Sequence, residues 1–306
     1  MTAVTAPTRS HPGRLAWRRL LRHRVAQVSL IFLAVLLVLS VAAPWLADWR
    51  GVDPAATDLF KRFDPPSAGH WLGTDELGRD LFQRLLDGGR VSLLVGLAGA
   101  FLSAVVGAAI GVAAGYLGGS LDRILMRVTD GMIALPLLPL LIVLAAIDPA
   151  KVGLPASIAQ SESFPLFRIV FIIGLTGWTT AARLVRAETL SLKARDFTRA
   201  AQALGARPLR IMLRHILPNA MGSLVVATTM SAGTLILLES TLSFLGLGTQ
   251  PPAASWGNML TGAQDLLQDA PLLALWPGLL IFLTVIAFNF VGDGLQDALD
   301  PRSERR

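Results

Sequence analysis

Apolar residues in this chain gather into long runs. Six stretches, 25–46, 91–117, 128–147, 169–184, 219–238 and 272–291, approach or exceed the roughly 20 apolar residues a helix needs to cross a bilayer. The fourth is short by this measure. The pattern predicts an all-α polytopic membrane protein with six transmembrane helices.

The breaks between runs have their own periodicity. Between the fourth and fifth runs, residues 186–219 read as two small amphipathic helices. Phe197, Ala200, Ala201 and Leu204 fall at i, i+3, i+4 and i+7, one stripe of a helix. Gly205 supplies a flexible stop, and Pro208 suits the first turn of the next helix. Leu209, Met212, Leu213 and Ile216 form its stripe, Arg207, Arg210 and Arg214 lie on another face, and Pro218 ends it. Before the second run, Leu77, Leu81, Phe82, Leu85 and Leu86 predict an amphipathic helix over 76–86 lying at the outer interface. Within the second run Gly107, Gly111 and Gly115 recur every four residues, a spacing that admits a neighbouring helix closely. Pro136 and Pro139 predict a kink in the third.

Composition supports a membrane class: 53% of the 306 residues are hydrophobic and 16% charged, against about 25% charged in soluble domains. No cysteine is present, so disulfides and thiolate metal sites are excluded. The net charge of +6 does not point to nucleic acid, because the basic residues sit beside apolar runs. The first run follows six arginines and no acid. It exceeds the 7–15 residues of a signal-peptide core and reads as an uncleaved anchor.

Charge also sets orientation. Residues 1–24 hold six arginines and no acid, residues 48–90 six bases and eight acids, and residues 181–218 eight bases and two acids. The basic side is cytoplasmic. Both termini are therefore expected inside: a basic N-terminus 1–24, a six-helix transmembrane bundle 25–295 and a tail 296–306. The segment 185–218 faces the cytoplasm, and the loop 48–90 lies outside.

Catalytic signatures are missing. There is no phosphate loop, no H-E-x-x-H and no G-x-S-x-G, and His11, His23, His70 and His215 are scattered. No enzyme activity, cofactor or metal site is expected. Ionisable or polar groups near the runs are candidates by default. Asp130 is expected to pair with Arg127, Asp293 to cap a helix or pair with an arginine, and Glu239 either to line a pathway or to snorkel to water; Asn289 is a further polar residue in a span. The two-helix segment suits either anionic lipid or a protein partner, and its projecting glycine turn favours the partner.

These residues resemble a known family. Asp196 to Gly205, continuing through His215-Ile216-Leu217-Pro218-Asn219, is similar to the EAA loop of binding-protein-dependent ABC importer permeases, with Arg199 in the place of the glutamate and His215 at the start of the last element. His70 to Asp75 with Gly78-Arg79-Asp80, Ser240 to Gly248, Ser255-Trp256-Gly257, and Asn289 to Leu295 with Asp297, Asp300, Pro301 and Arg302 resemble the second permease of the dipeptide, oligopeptide and nickel branch. The resemblance covers nearly the whole chain from about residue 15.

It implies a type I importer permease fold, a second homologous permease, two ABC ATPase subunits, and an extracytoplasmic substrate-binding protein, set in a lipid bilayer with no nucleic acid. Phe197, Arg199, Ala200, Ala201, Leu204, Gly205, Arg207 and Pro218 would couple to an ATPase. Trp71, Asp75, Arg79, Asp80 and Trp256 would form the docking face for the binding protein. The implied substrates are di- or oligopeptides, with nickel, glycosides and heme open. An ion-driven secondary transporter would need acidic groups inside the spans and repeated halves, which are not apparent. A membrane scaffold would not need the long outer loop.

Overall fold

The computed structural model describes residues 19–20 and 23–299, except 156, 158–160, 162–163, 252, 262, 264 and 265. The candidate tail residues Asp300, Pro301 and Arg302, and all but a few of residues 1–24, lie outside the described residues. Among the described residues the regular elements are helices, with one isolated bridge between Thr74 and Asp80, and turns and loops join them.

The helices are α1 (Arg24–Val41), α2 (Ala43–Arg50), α3 (Leu81–Leu117), α4 (Gly119–Ala134), α5 (Leu137–Ala146), α6 (Phe164–Lys193), α7 (Asp196–Ala203), α8 (Pro208–Phe244), α9 (Trp256–Met259) and α10 (Leu272–Leu299). Five of them are long and apolar enough to span a membrane; α4 and α5 pass that test only as a pair bent by 90°. The break falls at Leu135-Pro136, where the proline removes an N–H and disfavours helical geometry in the residue before it.

The order of contacts along α3 gives the directions of the crossings. Gly107 faces Ala181, Gly111 faces Val185 and Gly115 faces Thr189, so α3 and α6 run parallel. Gly96 meets Ile236 and Ser92 meets Glu239, so α8 runs antiparallel to α3. Gly233 lies against Phe288 and Gly292 against Met230, so α10 is antiparallel to α8. Ala26 touches Gly294 while Ser40 touches Gly89, which sets α1 antiparallel to α10 and to α3. Because α3 and α6 are parallel, the bent α4–α5 pair must return across the bilayer. The crossings therefore number six, and residues 23 and 299 lie on one side.

Small residues make these contacts possible. A Cβ added at Gly107 would stand 2.6 Å from the Ala181 Cβ and 2.8 Å from the Trp178 carbonyl oxygen, and one at Gly111 would stand 2.6 Å from the Ala182 carbonyl oxygen. Lipid tails compete equally for apolar side chains, so helices associate by backbone approach and close packing. The main core lies among Leu93, Ile173, Leu235 and Ile236 and continues outward to Trp256.

Two spans differ from the sequence reading. The helix expected over 76–86 begins at Leu81 and is continuous with the second span, giving a helix of 37 residues, about 55 Å long. Residues 76–80 form a turn instead, because Asp80 takes the N-cap and its carboxylate accepts from the Gln83 N–H at 2.8 Å. Pro218 does not end a helix: α8 runs through it to Phe244, by way of a π-turn over Met212–Ile216. Widening the turn there accommodates a proline that has no N–H to donate and would crowd the preceding turn.

Gly107→Leu and Gly111→Leu are expected to push α6 from α3. Backbone atoms face both sites, so relaxation is limited, and a loss of about 1–3 kcal/mol or more is expected. Thermal unfolding of the purified variants in one detergent would register it; an unchanged midpoint would contradict the seam.

Candidate functional site

Two ends of the bundle present built surfaces. At the end bearing residues 23 and 299, α7 sits between α6 and α8. The Thr198 hydroxyl donates to the Leu192 carbonyl at 2.8 Å, and the Gln202 amide donates to the Tyr116 hydroxyl at 3.3 Å. Lys193 donates to the Tyr116 carbonyl at 2.6 Å and lies 5.4 Å from the centre of its ring. Thr198 and Ala201 are buried against the bundle. The helix stops at Gly205, whose φ of 77° is left-handed. The Gly205 N–H donates to the Gln202 carbonyl and the Ala206 N–H to the Ala201 carbonyl, a Schellman closure. Pro208 then opens α8 as expected.

With α7 pinned from beneath, its other side has no cover from the chain. Phe197 is 42% exposed and Leu204 88%, and Ala200 and Gly205 are exposed beside them. Arg195, Arg199, Arg207, Arg210 and Arg214 are exposed around this ridge. Ala201 departs from the predicted ridge, since it packs inward, and Pro218 stands in α8 away from the turn. The second predicted stripe is also revised. Leu209 and Leu213 are exposed, and the buried pair is Ile211 and Ile216, five residues apart as the π-turn requires.

At the opposite end, the loop before α3 is folded by charge. Arg50 donates to both oxygens of Asp80, at 3.1 and 3.0 Å, and to the Gly69 carbonyl at 3.0 Å. His70 Nδ1 lies 3.0 Å from the same carboxylate. The Arg50 guanidinium stacks 4.5 Å from the Trp71 ring centre, and Trp71 packs on Phe82 at 5.1 Å. Asp75 accepts from the N–H groups of Leu77 and Arg79, and from Nε of Arg79 at 2.7 Å; Arg84 pairs with it at 3.1 Å. Burial raises the Asp80 pKa, but the Arg50, Gln83 and His70 contacts outweigh it and hold the carboxyl below its ordinary value. Gly73 and Gly78 turn the chain at φ 82° and 72°.

Asp75, Arg79 and Asp80 are thus buried in pairs that shape the loop and offer no free charge to a partner. Trp256 is likewise fully buried. Its indole N–H donates to the Leu85 carbonyl at 2.9 Å, and its ring fills the notch left by Gly88 and Gly89. Of the five residues expected on the docking face, only Trp71 is substantially exposed, at 45%.

Glu239 neither snorkels to water nor opens onto a channel within this chain; it is wholly enclosed. Ser92 donates to one carboxyl oxygen at 2.9 Å and Ser243 to the other at 2.7 Å. Each serine oxygen in turn accepts a loop N–H at 3.2 Å, Trp256 on Ser92 and Thr249 on Ser243. The carboxyl thereby fixes the direction of both hydroxyls and clasps the α8–α10 loop to α3. Nothing in the spacing of Ser92, Ser243 and Trp256 announces this, because 147 residues separate Ser92 from Glu239.

The remaining polar candidates resolve as follows. Asp130 pairs with Arg183 at 2.5 Å, not with Arg127, and Arg186 grips Asp122 through two nitrogens at 2.6 and 2.7 Å. Asn289 donates to the Val285 carbonyl at 2.9 Å. Asp293 is exposed and has no ion pair among the described residues.

A bundle of six crossings, with a basic projecting turn at one end and an ordered loop at the other, is the form of a transport permease. Residues 107–305 match the family described as binding-protein-dependent transport system inner membrane component, and residues 11–66 match the N-terminal TM domain of oligopeptide transport permease C. The chain belongs to this family of inner membrane permeases, whose members are non-catalytic transport subunits. It is 40% identical over 311 aligned positions to a Brucella abortus protein provisionally named a peptide transport system permease, covering 99% of this chain and 98% of that one. It is 40% identical over 291 positions to the glutathione transport system permease protein GsiD of Escherichia coli O157:H7, covering 95% and 91%. Membership implies a substrate-binding protein and an ATPase as partners.

Two outcomes follow for the end bearing Trp71. A carboxyl held below its ordinary value contributes stability that is present above about pH 4 and is lost as pH falls through its lowered native value. Proteolysis of the 51–80 loop should therefore accelerate in the wild type only on acidification. Asp80→Asn, which breaks a buried pair at a cost of about 3–5 kcal/mol, should accelerate it at neutral pH. Glu239→Leu strands both serine hydroxyls, at about 1–3 kcal/mol each; protease cutting at 245–260 in that variant and not in the wild type would register release of the clasp.

Proposed function

We propose that this chain is one channel-forming subunit of an ATP-driven importer of small peptides, and that α7 is its coupling helix. The side bearing α7 is the cytoplasmic side, by the arginine excess of its connections. A second homologous permease completes the channel, two ATPase subunits lie beneath, and a soluble binding protein delivers substrate to the outer end, where Trp71 is the exposed aromatic anchor.

One observation carries this reading: the exposed Phe197, Ala200 and Leu204 ridge stands on a helix held from behind by Thr198, Ala201 and Gln202. An apolar ridge rimmed by arginines suits a cleft in a soluble partner, with Phe197 as the anchor and the guanidinia setting orientation. Closure of the ATPases moves the spans only through contacts that differ between two states. Because α7 is tied to the inner ends of α3 and α6, displacement of the ridge passes to the spans as rigid-body rocking. Small peptides are favoured over nickel, glycosides or heme by the names of the relatives, one a peptide permease and one a permease for glutathione, itself a tripeptide.

Phe197→Asp is expected to reduce copurification of the ATPase subunits and to lower nucleotide-dependent peptide uptake in proteoliposomes at least tenfold, with the permease still folded. Normal assembly and uptake in that variant would refute the assignment of α7.

A further inference from the structure

The helix α4 has a surface that the transport reading does not use. Two ion pairs fix its course: Asp122 to Arg186 and Asp130 to Arg183. The aspartates are eight residues apart on α4, about 12 Å, while the arginines are three apart on α6, about 4.5 Å. Hence α4 crosses the α7-proximal part of α6 at a steep angle before the 90° break into α5. The first turns of α4, which follow Gly118 at the inner end of α3, therefore lie near the membrane interface.

Its side chains suit that position. Ile124 is 62% exposed, Val128 53% and Leu121 41%. Arg123 and Arg127 are exposed beside them and point along one helix side, four residues apart. Among the described residues, Arg123 bonds only Ser120, at 3.1 Å, and Arg127 has no ion pair. The other charged groups facing this place are already matched, Arg183 by Asp130 and Arg186 by Asp122. A pocket of about 760 Å³ lies here, lined by Ser120, Arg123, Ile124, Met126, Arg127 and Val128 together with Arg186 and the two aspartates, Asp122 and Asp130, each already paired with an arginine of α6.

We propose that this pocket binds the headgroup of an anionic glycerophospholipid. Two unmatched guanidinia would hold the phosphodiester, since the planar fork fits phosphate oxygens in pairs. Ile124 and Val128, each following an arginine by one residue, would take the first methylenes of the acyl chains. A free anion would use the arginines but leave those apolar groups in water, and a neutral lipid would leave both cations unmatched. Basic pockets between spans on the cytoplasmic side suit such headgroups. The proposal rests on the proposed function only for naming the leaflet.

The test uses the assembled transporter purified from the membrane and placed in nanodiscs of phosphatidylcholine with increasing phosphatidylglycerol. Spin-labelled phosphatidylglycerol should be immobilised by the wild type in preference to labelled phosphatidylcholine. Arg123→Gln/Arg127→Gln should reduce that preference by about thirtyfold, the weight of two cations at an anionic surface. Arg123→Lys/Arg127→Lys should restore part of it. Both positions are exposed, so the variants fold, and an unchanged melting midpoint in pure phosphatidylcholine verifies this. Equal preference in wild type and the glutamine variant would overturn the proposal. So would displacement of the label by millimolar inorganic phosphate, which would make the pocket a free-anion site, or cross-linking of position 127 to another subunit, which would make it an interface. Failure of peptide uptake would count against the proposed function and leave the lipid measurement intact.

Discussion

The close approach of α3 to its neighbours is the constraint from which the remaining architecture follows. Inside a bilayer, apolar side chains gain little by leaving lipid for each other, so crossings are ordered by how near their backbones come. The glycines of α3 permit this on successive faces and at successive depths. Gly88 and Gly89 receive Trp256, Gly96 receives Ile236, and Gly107, Gly111 and Gly115 receive α6. With α6 and α8 both seated on α3, the parallel and antiparallel directions are settled, and α4–α5 must make the return crossing. The polar contacts at the two ends then act on a bundle already fixed in depth and rotation.

Each end is tied to α3 by a different chemistry. At the end bearing Trp71 the ties are polar and buried: the Arg50–Asp80 ion pair at the start of α3, and the hydrogen bonds that run from Glu239 through Ser92 to the backbone of Trp256. Removing one partner of such a group leaves a desolvated polar atom behind, which makes these joints stiff. At the end bearing α7 the ties are fewer, consisting of Lys193 and Gln202 on Tyr116 of α3, the Thr198 hydroxyl on the Leu192 carbonyl of α6 and a small apolar cluster around Ile211 and Ile216. The loop before α3 is thus built to hold its shape, and the α7 turn is built to be carried by the helices it touches.

Periodicity and glycine spacing made most of the crossings legible, because a span must be apolar over a length set by the bilayer and a close seam must be small. Gly205 and Pro208 were legible for the same kind of reason: a left-handed residue and a proline at a first turn each have few alternatives. What stayed hidden depends on pairs distant in sequence. The motif residues Asp75, Asp80 and Trp256 read as surface groups, yet their chemistry is spent inside, on Arg79, Arg50 and the Leu85 carbonyl. Asp130 had an arginine one turn away and chose another 53 residues on, since α6 passes it while Arg127 points outward. The π-turn left a trace in retrospect, apolar residues five apart followed by a proline, which a search at period 3.6 passes over.

That π-turn bears on how the two ends communicate. α8 is continuous from Pro208, beside the α7 ridge, to Phe244, one residue beyond the Glu239 clasp partner Ser243. A straight α-helical path through Pro218 would bring the proline ring against the preceding turn and break the rod. The π-turn absorbs that conflict within five residues and leaves the helix whole. A single rod then runs from the turn that closes the α7 ridge to the clasped loop at the opposite end of the bundle, with α3 packed alongside it. From the Gly205 turn to the clasp no further loop interrupts the chain, and the clasped loop is fixed to the rod because Glu239 and Ser243 are part of it.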